Sequence, residues 1–143
     1  MASNPKTHWH LWLVGGLSLI WNLIGVLGWY NQIKRSPAWL ADLTVAQVRF
    51  IELTPVWASV AFGLAVWAAL LGALALLLKR RLAFNAYVAS LVGFIVHAVY
   101  VYGLNNGAEL FGFGAAGFSF LILIVTLFQI GYARWMAKQG VLR

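Results

Sequence analysis

The chain has 143 residues, 63% of them hydrophobic and only 9% charged, with a mean hydropathy of +0.85. Soluble domains carry roughly 25% charged residues, so a water-soluble globular class is excluded. The formal charge of +7 does not point to nucleic acid, because Lys and Arg gather at the ends of apolar segments, where anchoring and topology signals lie. The absence of Cys removes disulfides, thiolate metal sites and Cys nucleophiles.

An apolar helix needs about 20 residues to cross the hydrocarbon core of a bilayer. Four segments reach that length: about Trp9 to Tyr30, Pro55 to Leu78, Leu82 to Tyr102 and Gly112 to Met136. Backbone polar groups in lipid must be bonded within the protein, so helices are the reading for all four. The first run is too long for the core of a signal peptide, and no small-x-small cleavage pattern follows it, so it is expected to remain as a span. Within it Gly15, Ser18, Asn22 and Gly25 recur at steps of three and four and share one helix face.

The connection "SPAWLADLTVAQVRFIELTP" is structured. Ser36-Pro37 suits an N-cap followed by Pro at the first helical position. Thr44 with Gln47 reads as a capping box opening a helix from Val45 to Leu53. Trp39, Leu43, Ala46, Phe50 and Leu53 fall on one face, and Asp42, Arg49 and Glu52 on another. The pattern predicts a short amphipathic helical segment over about 37–53, lying on the membrane surface. Arg49 and Glu52 are an exposed i,i+3 pair in that setting.

The second span carries a stripe of Ala61, Ala65, Ala68, Gly72 and Ala75, and the basic turn Lys79–Arg81 leads into the third. There the stripe is Ala86, Ser90, Gly93, His97 and Tyr100. After "GLNNGAEL" the fourth span shows Gly112, Ala115, Ser119, Thr126, Gln129 and Ala133. "GFGAAG" (Gly112 to Gly117) lacks the spacing and βαβ setting of a dinucleotide loop and reads as close helix packing. Helix association in lipid depends on close packing and interhelical hydrogen bonds. The four stripes therefore predict one membrane domain over 1–143, an all-α, up-down-up-down four-helix bundle. Gly15, Ser18, Gly25, Gly72, Gly93 and Gln129 are its expected packing contacts. The N-terminus, basic turn and C-terminal end hold seven Lys and Arg against three in the other two loops, which places both termini in the cytoplasm.

At 1.5 Å per residue, Asn22 lies about 60% of the way out and His97 about 75%. Ser119, entering from the other side, reaches nearly the same level, with Trp57 above and Tyr100 nearby. An amide, an imidazole and a hydroxyl at one depth can satisfy one another's donors and acceptors. Two readings stand side by side. In one, Asn22 and His97 only fix helix register; in the other, they line a pocket for the polar group of a ligand. Catalytic chemistry is not expected: Asp42, Glu52 and Glu109 all lie in loops, and no metal cluster, phosphate loop or nucleophile motif is present. A bis-His haem site is not expected either, since His97 has no second His within the spans, His8 and His10 lying far from it in depth.

The runs "LIWNLIG", "LTVAQV" and "AVWAALLGALALLLKRR", with Trp21, Asn22, Gln47, Pro55, Trp57, Trp67 and Gly72, resemble a family of small bacterial four-span proteins that carry the label "sugar transporter". The resemblance covers nearly the whole chain. Family members commonly have an acidic residue where this chain has Gly28, and a Glu where it has Ala46. The resemblance implies a bacterial inner-membrane location and transport, for which one bundle would need a homo-oligomer. The residues themselves favour a non-enzymatic module. It would be a subunit of a larger membrane complex, or a bundle holding an apolar ligand such as a lipid, quinone or carotenoid-like molecule, with no obligate cofactor.

Overall fold

The computed structural model describes residues 8–143; Lys6, which enters the charge count, lies outside them. The described residues form helices and no strand. Helix α1 (Trp9–Lys34) runs past the expected end at Tyr30 and stops at Arg35, which adopts a left-handed conformation (φ 50°). Helix α2 (Pro37–Ala41) has its Pro in the first turn, although Ser36 makes no side-chain cap. Helix α3 (Val45–Leu53) opens with the capping box: Gln47 N–H donates to Thr44 Oγ1 (3.3 Å) and Thr44 N–H to Gln47 Oε1 (3.1 Å). Capping holds Thr44 in extended backbone, so the segment over 37–53 is two helices rather than one.

Helix α4 (Val56–Leu77) and helix α5 (Leu82–Ala98) are joined by the basic turn. α5 does not end in α geometry at Tyr102. It loosens into a π-helical segment, Val99–Leu104, and Asn105 Nδ2 donates to the Tyr100 carbonyl (2.9 Å). Helix α6 (Gly107–Phe111) occupies "GLNNGAEL", and helix α7 (Phe113–Lys138) follows. α1, α4, α5 with its π extension, and α7 are each long and apolar enough to cross a membrane. Leu17, Ile20, Leu27, Val60 and Phe120 are among the large apolar side chains left exposed on them, as lipid contact requires.

α4 is the central helix, packed along α5 on one side and α1 on the other. It therefore buries two faces, not the single stripe expected, and Ala69 rather than Ala68 is fully covered. Toward α5, a Cβ on Gly93 would fall 2.7 Å from the Ala61 carbonyl and 2.8 Å from the Ala65 nitrogen. Only a hydrogen in place of a side chain permits that backbone approach. Gly72 lies against the Tyr87 ring, which a Cβ would meet at 2.8 Å. On the α1 side, Gly15 faces Leu77 and Gly25 faces Val66. Ser18 is buried, and so is Gln129, whose Nε2 has no hydrogen-bond partner.

α7 packs its backbone mainly against α5 and α6. Its buried residues, Thr126, Gln129, Tyr132, Ala133 and Met136, all lie in its second half. Gly112, Ala115 and Ser119 remain partly exposed, and of the three Ser119 borders a cavity shared with α1 and α4. α1 meets α7 through side chains: His10 Nδ1 and the Tyr132 hydroxyl hydrogen-bond at 2.6 Å, and the Trp21 and Phe118 rings lie 5.8 Å apart. At the end carrying the basic turn, Leu11, Leu76, Tyr87, Met136 and Leu142 form the main core. Arg143 closes that end: its N–H donates to Lys79 O (2.7 Å), and Arg81 N–H donates to Arg143 O (3.0 Å). At the opposite end Phe50, Ala58, Tyr100 and Val101 pack together, and Gln47 Nε2 donates to the Leu110 carbonyl (3.2 Å).

Candidate functional site

Polar side chains in lipid need acceptors, and α4 supplies them from its backbone. Asn22 Nδ2 donates to Ala69 O (2.9 Å), Ser90 Oγ to Ala65 O (2.6 Å), and His97 Nδ1 lies 3.3 Å from Ala58 O. Trp29 Nε1 donates to Ser59 O (3.1 Å). Alanine and serine leave these carbonyls uncovered, so side chains from α1 and α5 reach second lone pairs of an otherwise intact helix. Since a carbonyl only accepts, His97 carries its proton on Nδ1, and Nε2 is left as an acceptor. The His97 ring stacks on Phe62 at 4.7 Å.

Around these bonds lies a cavity of about 390 Å³, walled by all four long helices. Trp21, Asn22 and Gly25 come from α1, and Phe62, Ala65 and Ala69 from α4. Ser90, Phe94 and His97 come from α5, and Phe118, Ser119 and Thr126 from α7. A second cavity of about 480 Å³ shares Gly28, Phe62, Phe94, His97, Phe118 and Ser119 with the first. It extends beneath Trp39, Leu43 and Phe50. The two adjoin at these shared residues and together reach from the bundle centre to the α2–α3 end. Its walls are mostly hydrocarbon and aromatic, with a few fixed polar groups, as small-molecule sites commonly are.

Asn22, His97 and Ser119 thus border one space but do not bond to one another, contrary to the expected mutual contact. Asn22 and His97 bond to α4 carbonyls, and Ser119 Oγ pairs with the Tyr102 hydroxyl at 2.6 Å. The cavity separates the side chains, and the α4 carbonyls are the nearer partners. Trp57 and Tyr100 stand elsewhere. Their rings meet edge to face (5.4 Å), and Tyr100 also packs on Phe50. One residue on a helix is about 100° of rotation, so Trp57 turns away from the face on which Ala58 receives His97.

Several contributors were not evident in the sequence pattern. Phe62, Phe94 and Phe118 look like ordinary lipid-facing residues, and Gly28 carries no polar signal. Tyr102 falls at a span end by hydropathy, and the π segment that carries it has no sequence mark. The alanine carbonyls had one sequence signal: a span almost devoid of polar side chains opposite two spans that hold Asn22, Ser90 and His97. No group of three or more His, Cys, Asp or Glu suited to a metal occurs among the described residues.

Fold and cavities define the class: an all-helical protein with four helices fit to cross a membrane and adjoining, mostly apolar cavities among them. Protein-family models, curated proteins and solved structures were compared with this chain, and none matches.

Proposed function

We propose that the protein is a non-enzymatic membrane module that holds an elongated apolar ligand, with one polar end, between its helices. The single observation that carries this reading is the pair of adjoining cavities lined by all four long helices, apolar but for Asn22, Gln32, Ser90, His97, Tyr102, Ser119 and Thr126. A lipid, quinone or carotenoid-like molecule has the required chemistry: hydrocarbon for Phe62, Phe94 and Phe118, and a polar end for the His97 and Ser119 level. The helices alternate in direction across a bacterial inner membrane, both termini are cytoplasmic, and α2 and α3 lie on the outer surface. The exposed apolar faces suit either a homo-oligomer or a larger complex. The transporter reading draws less support, since the passage carries no carboxylate for coupling and few groups for a sugar's hydroxyls.

Gly28 offers a direct test. It borders both cavities, and a Cβ there would meet nothing within 4 Å. Gly28→Phe therefore adds a bulky ring at the border of both cavities from a Cβ position that displaces no neighbour. The wild-type protein, extracted from native membrane in mild detergent, is expected to carry a stoichiometric apolar compound detectable by mass spectrometry of an organic extract. Gly28→Phe is expected to purify folded and without it. A wild-type extract holding only detergent and bulk lipid would overturn the proposal, as would a Gly28→Phe extract with the compound still bound.

A further inference from the structure

Charge is divided unevenly between the two ends. Asp42, Glu52 and Glu109 all belong to the α2–α3–α6 end, and the basic-turn end has no acidic side chain among the described residues. That end carries Lys79, Arg80, Arg81, Arg134, Lys138 and Arg143. Three of these cations converge on one recess of about 660 Å³ between the start of α5 and the end of α7. It is lined by Arg81, Phe84, Asn85, Arg134, Ala137 and Lys138. Arg81 is held in place at both backbone and side chain: its N–H donates to Arg143 O (3.0 Å) and its Nε to Leu142 O (3.3 Å). Neither Arg134 nor Lys138 has an ion-pair partner among the described residues. Phe84 and Ala137 form the floor and pack on the main core.

We infer that this recess binds the headgroup of an anionic phospholipid. The combination favours a lipid over a soluble anion. The recess sits where two candidate membrane spans end, and its floor is apolar. The exposed faces of α5 and α7 continue from it as hydrocarbon: Val88 and Val92 on one helix, Leu127 on the other. A phosphate at the recess takes charge-assisted hydrogen bonds from Arg81, Arg134 and Lys138, while acyl chains follow those faces. The inference is independent of what occupies the central passage.

Native mass spectrometry of the full chain in detergent tests it, with phosphatidylglycerol and phosphatidylcholine of identical acyl chains as probes. Tighter binding of phosphatidylglycerol is expected. The double variant Arg134→Gln, Lys138→Gln, which alters only exposed side chains, is expected to weaken it by about thirtyfold. Lys34→Gln, Arg49→Gln, at the opposite end, removes the same charge and is expected to leave phosphatidylglycerol binding unchanged. Equal binding of the two lipids overturns the inference, and so does an equal loss in both double variants. Displacement of phosphatidylglycerol by inorganic phosphate at comparable concentration would make the recess a soluble-anion site and also overturn it.

Discussion

The α4–α5 crossing at Gly93 is the most exacting contact in the bundle. An added Cβ would sit 2.7 Å from Ala61 O and 2.8 Å from Ala65 N, and both are backbone atoms that no rotamer change can move. Gly93→Ala must therefore push the helices apart. Overpacking of this kind costs about 1–3 kcal/mol. Separation also stretches the two flanking bonds, Ser90 to Ala65 and His97 to Ala58, at about 0.6 kcal/mol each. Better helix propensity offsets about 0.5–1 kcal/mol, which leaves a net destabilisation of about 1–4 kcal/mol. Gly28→Ala is the matched control, because its Cβ meets nothing within 4 Å. It gains the propensity term without the clash. Unfolding of detergent-solubilised protein with SDS, followed by far-ultraviolet circular dichroism, reads the difference. If Gly93→Ala and Gly28→Ala unfold within about 0.5 kcal/mol of each other, the overpacking term is absent, and the close crossing is wrong.

Other substitutions separate bonded from unbonded polar groups. Tyr87 is fully buried and its hydroxyl lies close to the Ser18 side chain without a well-formed hydrogen bond, so Tyr87→Phe is expected to change stability by less than about 1 kcal/mol; a larger loss in the same assay would mean that the bond to Ser18 is fully made. Asn22→Ala removes the bond to Ala69 and is expected to cost about 0.6 kcal/mol, with an upper bound near about 1.7. Ser119→Ala and Tyr102→Phe each break one contact of 2.6 Å, so a double-mutant cycle should give a coupling of about 0.5 kcal/mol or more; additive effects would refute the pair. Thr44→Ala removes one half of the capping box. It is expected to cost about 1 kcal/mol, seen as faster amide hydrogen exchange in α3 with α4 unaffected.

Four long apolar helices and the capping box at Thr44 and Gln47 were legible from residues alone. Both depend on local chemistry: hydrocarbon content over about 20 residues, and a side chain that reaches a backbone N–H three positions away. The small residues at Gly72 and Gly93 were also visible, because periodicity puts them on one face. Which helix that face meets was not. A stripe records that something comes close, and a helix packed on two sides, as α4 is, carries two overlapping stripes that read as one.

Partners are decided by three-dimensional distance. Asn22, His97 and Ser119 share a level by residue count, yet the α4 carbonyls lie nearer to Asn22 and His97 than they lie to each other, and Ser119 lies nearest Tyr102. Carbonyl oxygens are present at every position and leave no mark in a sequence. The cavity is likewise invisible in one dimension, since it is a volume that side chains on separate helices fail to fill. Hydropathy determined that this chain makes long apolar helices. Only their packing decided where the space between them lies and which polar groups face it.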